Sequence, residues 1–244
     1  MNSSHCPRLR IFAGPNGSGK STLIRVLKEE VNLYKIINPD DLSNDLENNR
    51  SLDLSAYGIQ ATSKKFHRFV KNSTYEKNII TDLLNAQVDK NNLQIGSIRI
   101  DPYKVALIAA FIRDRMLKRK ISFSFETVFS HPSKVEFLKK ADQAGYHNYL
   151  YFIATEDTVI NIGRVDLRVA EGGHSVPKNK IISRYYRSLD NLFSSLKYTH
   201  RAYIFDNSGK SSRLVAEVTP HATLLLRTQH IPIWFDNYVI QKLT

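Results

Sequence analysis

At 244 residues, with 42% hydrophobic and 24% charged residues, the chain has a globular composition and the length for one α/β domain, alone or with an embedded insertion. No apolar run reaches the ~18 residues a membrane-spanning helix needs, the polar start Met1-Asn-Ser-Ser-His-Cys-Pro makes a signal peptide unexpected, and the one cysteine, Cys6, excludes an internal disulfide or a cysteine metal cluster, so a cytoplasmic setting is expected. The formal net charge of +12 has two readings, a surface for polyanions such as nucleic acid or a set of cations around nucleotide phosphates.

A strand is predicted over residues 8–13. It ends on Gly14-Pro-Asn-Gly-Ser-Gly-Lys-Ser21, which fits G-x-x-x-x-G-K-[ST] at every constrained position, and Thr22-Leu-Ile-Arg-Val-Leu27 continues at helical spacing. In that strand–loop–helix context the glycines let successive N–H groups curl inward at the positive end of a helix, which makes a phosphate cradle. Gly14, Asn16, Gly17, Ser18, Gly19, Lys20, Ser21 and Thr22 are the expected nucleotide-binding residues. Lys20 can reach the β- and γ-phosphates of ATP or GTP, and the Ser21 hydroxyl can ligate Mg²⁺.

A second strand, 34–37, ends on Asn38-Pro-Asp-Asp41. Asp40 is there a candidate to accept a substrate proton or hold a metal's water shell, although the same four residues also make a turn followed by a helix start. Residues 43–100 break the pattern. They are rich in Asn, Ser, Lys and Asp, with helix expected near 57–70 and 76–88, and read as an insertion within a single domain spanning 1–244. Asp101-Pro102 can cap a helix carrying Val105, Ile108 and Ile112, whose end holds the basic run Arg113-Asp-Arg-Met-Leu-Lys-Arg-Lys120. Cations there offset the negative helix end or form a nucleic-acid patch.

The third strand, 121–125, alternates as a half-buried strand should and delivers Glu126, a candidate ligand for substrate hydroxyls or Mg²⁺, with Thr127 beside it to hydrogen-bond a substrate polar group. Ser133 with Glu136 reads as a capping box and Gly145 as that helix's stop. After a strand at 147–153, a helix from 158 to 171 is expected to carry Asn161, Arg164 and Arg168 on one exposed face, with Ile162, Val165 and Val169 on the buried side. Gly172-Gly173 ends it and His174 follows. Residues 157–187 form an expected lid, in which Arg164 and Arg168 could stabilise transferring phosphoryl charge. Pro177 opens a helix with the stripe Ile181, Tyr185, Leu189, Leu192 and Leu196, and a last strand at 202–206 leads to Asp206-Asn-Ser-Gly209. Alternating strands and helices predict an α/β fold of P-loop, nucleotide-kinase type, a parallel sheet with helices on both faces and ligands at the strands' carboxyl ends.

Together, Ala13-Gly-Pro-Asn-Gly-Ser-Gly-Lys-Ser-Thr22, Asn38-Pro-Asp-Asp41, Phe125-Glu-Thr127, Arg164-Val165, Arg168-Val-Ala-Glu-Gly-Gly-His174, Val176-Pro177 and Arg184-Tyr-Tyr-Arg-Ser-Leu-Asp-Asn-Leu192 resemble the zeta-toxin family of P-loop kinases. The resemblance covers residues 8–42 and about 102–210. It implies phosphorylation of a sugar hydroxyl of UDP-N-acetylglucosamine by a nucleoside triphosphate, and a small antitoxin that blocks the nucleotide site. It implies Asp40 as catalytic base, Glu126 and Thr127 in the sugar-nucleotide segment, Arg168 on the transferring phosphate and Arg164 as its partner. The 43–100 segment exceeds the family's usual spacing, and the Gly-Gly-His lid also differs. A nucleic-acid end-processing kinase and a non-catalytic nucleotide-binding module are the rival expectations.

Overall fold

The computed structural model describes residues 6–220 and 223–243. The chain divides into two compact units, residues 1–33 with 124–244, and residues 34–123.

The first unit opens with β1 (Arg8–Ala13), whose Leu9, Ile11, Phe12 and Ala13 are fully buried, followed by α1 (Lys20–Leu27). A near-continuous apolar run is the signature of a strand covered on both faces.

The second unit contains β2 (Lys35–Ile37) and α2 (Pro39–Asn49), with the Asn38 side chain accepting the Asp40 N–H at 3.0 Å as an N-cap. β3 (Ser51–Asp53) and a 3₁₀ turn (Leu54–Tyr57) follow, then α3 (Ser63–Lys71), α4 (Lys77–Leu83), β4 (Gln87–Asp89), β5 (Asn92–Gln94) and α5 (Pro102–Lys118). The expected helices at 57–70 and 76–88 are thus shorter, and residues 87–94 form a hairpin instead. Lys90 and Asn91 both have positive φ, +43° and +67°, the geometry of a tight two-residue hairpin turn. Asn91 secures it, donating to Ser55 Oγ at 2.7 Å and the Ile59 carbonyl at 2.9 Å. β3, β5 and β4 make an antiparallel sheet, and Phe66 meets Phe111 edge-on at 5.1 Å in this unit's core.

The first unit resumes with β6 (Phe123–Thr127), α6 (Ser133–Gln143), β7 (His147–Ala154), α7 (Thr158–Ala170) and α8 (Lys178–Leu196). It closes with β8 (Arg201–Asp206), β9 (Arg213–Val218), β10 (Leu224–Leu226) and α9 (Ile233–Tyr238). Its strands lie in the order β10-β9-β8-β7-β1-β6. β7 runs parallel to β1, Arg8 facing His147 through to Ala13 facing Phe152, and parallel to β8. β9 and β10 add an antiparallel edge that the strand–helix alternation did not predict, so the sheet is mostly parallel and flanked by helices.

Three local expectations need correction. Ser133 is the first residue of α6 rather than its cap, because Pro132 takes the N-cap position, and the serine hydroxyl pairs with His131 Nδ1 at 2.9 Å. β6 is not half-buried: Phe123, Ser124 and Phe125 are all fully covered, and the Ser124 hydroxyl satisfies itself on the Leu33 carbonyl. On α7, Asn161 is fully buried while Val169 is 36% exposed, which reverses the sides expected for these two residues.

Candidate functional site

The site grows from the carboxyl end of β1. Gly14 takes φ +146°, and a Cβ there would stand 1.9 Å from the Ile153 carbonyl oxygen of the neighbouring strand, so only glycine lets the chain leave the sheet at this point. Gly17 and Gly19 also have positive φ, and Gly19 is the N-cap of α1. The loop therefore wraps onto a helix N-terminus, where unpaired N–H groups and the helix dipole favour an anion.

Lys20 and Ser21 are the first two residues of α1. Lys20 is 7% exposed; its Nζ donates to the Pro15 carbonyl at 2.8 Å and lies 3.9 Å from Glu126 Oε1. The Ser21 hydroxyl donates to Glu126 Oε2 at 3.3 Å. Glu126, at the end of β6, thus gathers the two side chains that the loop motif singles out. Within the loop, Ser18 Oγ and Asn16 Oδ1 are buried with no hydrogen-bond partner. Orphaned polar atoms beside a buried ammonium group suit a ligand rich in oxygen and charge.

Two amides hold the loop from outside. Asn161 in the first turn of α7 donates to the Asn16 carbonyl at 2.5 Å and accepts the Thr155 hydroxyl. Asn207, just past β8, donates to the Ser18 carbonyl at 2.8 Å. Both approach so closely that Cβ atoms on Gly17 and Gly19 would collide with them, at 2.5 Å from the Asn161 carbonyl oxygen and 2.3 Å from Asn207 Nδ2. Sequence reasoning missed this clamp. Its signal was present, since both are amides close behind strand carboxyl ends.

Arg164 is half-buried on α7. Its Nη2 donates to the Gly209 carbonyl at 3.3 Å, while Nη1 is buried with no partner. It lines a cavity of about 300 Å³ together with Gly19, Thr22, Val26, Asn207 and Lys210. Arg168, one turn on, is exposed, and its guanidinium donates to the His174 carbonyl at 2.9 Å. Gly173 is needed for that turn, as a Cβ would meet the Arg168 side chain at 2.8 Å. The two arginines share a helix but act apart, Arg164 lining the cavity and Arg168 pinning the turn after α7. The hydroxyl of Thr127 is engaged by the Phe129 N–H at 3.2 Å, where Phe129 takes φ +64°.

Supports behind the site are ordered too. The Tyr185 hydroxyl donates to the Thr155 carbonyl at 2.6 Å, and burial, more than nearby Glu156, pushes its ionisation far above the ordinary tyrosine range. Asp206 accepts from Trp234 Nε1 at 3.0 Å and from Ser208 Oγ at 2.7 Å, tying α9 to the end of β8. Asp40 belongs to the other unit: its side chain is exposed in the first turn of α2.

Glycine loop, buried lysine and helix-opening serine at the end of a mostly parallel sheet define a P-loop protein of nucleotide-kinase fold. Residues 102–217 match the family model for zeta toxin. A Haemophilus influenzae protein described as uncharacterized is 24% identical over 128 residues, 52% of this chain and 88% of that protein. The fold is similar to a chain of the AvrRxo1-ORF1:ORF2 complex solved with ATP, at TM-score 0.52 and 15% identity, over 92% of this chain and 62% of that one. The same complex with sulphate ions gives TM-score 0.51 and 13% identity, over 91% and 61%. The chain spans about three-fifths of the length of these solved structures, and at such identities the likeness is one of fold. No described helix is long and apolar enough to cross a membrane.

Proposed function

We propose that the chain is a nucleoside-triphosphate-dependent phosphotransferase acting on a small hydroxyl acceptor. The observation that carries this reading is the meeting of Lys20 and Ser21 on Glu126 beneath a glycine loop with unsatisfied buried polar atoms. Gly14, Asn16, Gly17, Ser18, Gly19, Lys20, Ser21 and Thr22 cradle the triphosphate of ATP or GTP, with the nucleoside lodged in the cavity beside Arg164. On binding, Lys20 exchanges the Pro15 carbonyl for phosphate oxygens, and Arg164 Nη1 finds the acceptor it lacks.

Ser21 and Glu126 fit a magnesium ion, because a hydroxyl and a carboxylate are hard oxygen donors and this ion takes few protein ligands, keeping waters and substrate phosphates for the rest. When bound it would neutralise charge on the phosphates. Asp40 serves as the base that accepts the acceptor's proton, and Arg168 steadies charge on the transferring group. Glu126 and Thr127 contact the acceptor side.

A sugar nucleotide such as UDP-N-acetylglucosamine is the acceptor class this family reading favours. By the same reading residues 157–187 are a lid, residues 43–100 an insertion in one kinase domain, and a small antitoxin the protein partner. The test is mass spectrometry of a sugar-nucleotide and metabolite panel incubated with ATP, Mg²⁺ and enzyme, beside Lys20→Ala. One acceptor gaining a single phosphate, lost in the variant, supports the assignment; ATP binding with no phosphorylated product overturns it.

A further inference from the structure

The second unit carries a feature that phosphoryl transfer does not use. α3 and the C-terminal half of α5 wall a cleft of about 110 Å³, lined by Lys65, Arg68, Phe69, Asp114, Arg115 and Lys118 among others. The basic run at the end of α5 was legible in the sequence, where offsetting the helix dipole accounts for it. That account extends to Arg68 and Lys71 in the last turn of α3, but not to Lys64 and Lys65 in its first turn, where the helix end is positive.

The charge is poorly compensated. The acidic side chain in the cleft lining, Asp114, is paired with Lys118 at 2.7 Å. Lys65 and Arg68 are exposed, and Arg115 Nε is buried with no hydrogen-bond acceptor. Lys64 to Lys71 covers seven helical steps, a basic stripe about 10 Å long. Phe69, half-buried in the wall, stands edge-on to buried Phe111 at 5.5 Å between centroids.

We infer that this cleft is a docking site for single-stranded nucleic acid, held by its phosphates on Lys65, Arg68, Arg115 and Lys118, with a base against Phe69. A groove of cations with an aromatic in its wall is the chemistry that takes a strand without reading its sequence. A membrane surface fits less well, because amphipathic membrane helices present large apolar side chains. Among the described residues the exposed large apolar side chains include none from α3 or the second half of α5. The inference rests on this unit alone and stands apart from the kinase reading.

The experiment is fluorescence anisotropy of a labelled 12-nucleotide single strand, as RNA and as DNA, with the full chain from 50 to 300 mM salt. The triple variant Lys65→Ala/Arg68→Ala/Arg115→Ala is compared with Lys28→Ala/Lys140→Ala/Lys197→Ala, which removes the same charge elsewhere. At ~0.7 released counterions per contact, three contacts lower the log–log salt slope by about 2, and affinity near 100 mM salt falls roughly tenfold or more. The control triple should keep most of both. ATP affinity, read by calorimetry, should be unchanged in the cleft variant, which separates loss of docking from loss of folding. Equal losses in both triples overturn the inference. So does a wild-type chain that binds 30% phosphatidylserine vesicles and neither oligonucleotide.

Discussion

Asn161→Ala tests whether the phosphate loop is held by its neighbours or shapes itself. The amide makes two hydrogen bonds in a fully buried position, to the Asn16 carbonyl and from the Thr155 hydroxyl. Each is worth about 1 kcal/mol net, and a buried partner left unpaired adds a further ~1–3 kcal/mol. The Thr155 hydroxyl has a fallback, since it also reaches the Asp157 carbonyl at 3.3 Å. The stranded group is therefore the Asn16 carbonyl, and the expected loss is about 3 kcal/mol. For a chain of this size that lowers Tm by about 6–12 °C. Scanning calorimetry measures it, with nucleotide titration on the same samples to read the loop directly. Asn161→Asp keeps the shape and puts a carboxylate against the Asn16 carbonyl, so it should do no better than alanine. A Thr155→Val/Asn161→Ala cycle should show coupling of at least ~0.5 kcal/mol. If Asn161→Ala shifts Tm by less than about 2 °C and leaves nucleotide affinity intact, the clamp is incidental and the reasoning fails.

Gly14→Ala should weaken nucleotide binding about a hundredfold, because φ +146° and a Cβ 1.9 Å from the Ile153 oxygen force the loop to move at a cost of roughly 3 kcal/mol; unchanged affinity in calorimetry would refute this. Asp40→Asn should leave Tm and nucleotide affinity alone, the side chain being exposed, while kcat falls by about 10²–10⁴; normal turnover reduces Asp40 to a turn residue. His200 stacks on His147 at 3.9 Å, and burial, then His147, Arg201 and Arg8, hold its pKa below the ordinary imidazole value. The folded state then binds fewer protons than the unfolded one, so stability is present above pH ~6.5 and declines as pH falls through the imidazole range. His200→Gln should flatten the Tm–pH curve between pH 7 and 5, and an equally steep curve would count against the assignment.

Much of the first unit was legible because its signals are local. The loop motif, the apolar run of β1 and the Gly172-Gly173 stop need nothing beyond neighbouring residues. What escaped depends on tertiary contact. Asn161 lies on the same helical face as Arg164, and polar neighbours on one face read as solvent-facing until the loop is packed against them. Ser133 obeys the capping pattern, yet Pro132 takes the N-cap position ahead of it. The hairpin at 87–94 carries no glycine in its turn, so nothing local marks Lys90-Asn91 as the turn between two strands. Glu126 was named as a candidate, but its place beside both Lys20 and Ser21 comes only from the pairing of strands far apart in sequence.

The Asn207–Ser18 bond joins residues 189 apart. Protein synthesis runs from the amino end, so the glycine loop is made well before its second amide. A growing chain displays the loop long before anything can hold it in shape. The loop therefore takes its held shape late and abruptly, when residue 207 clears the ribosome and β8 pairs beside β7. Chains cut short before that point carry the whole motif and should still be inert.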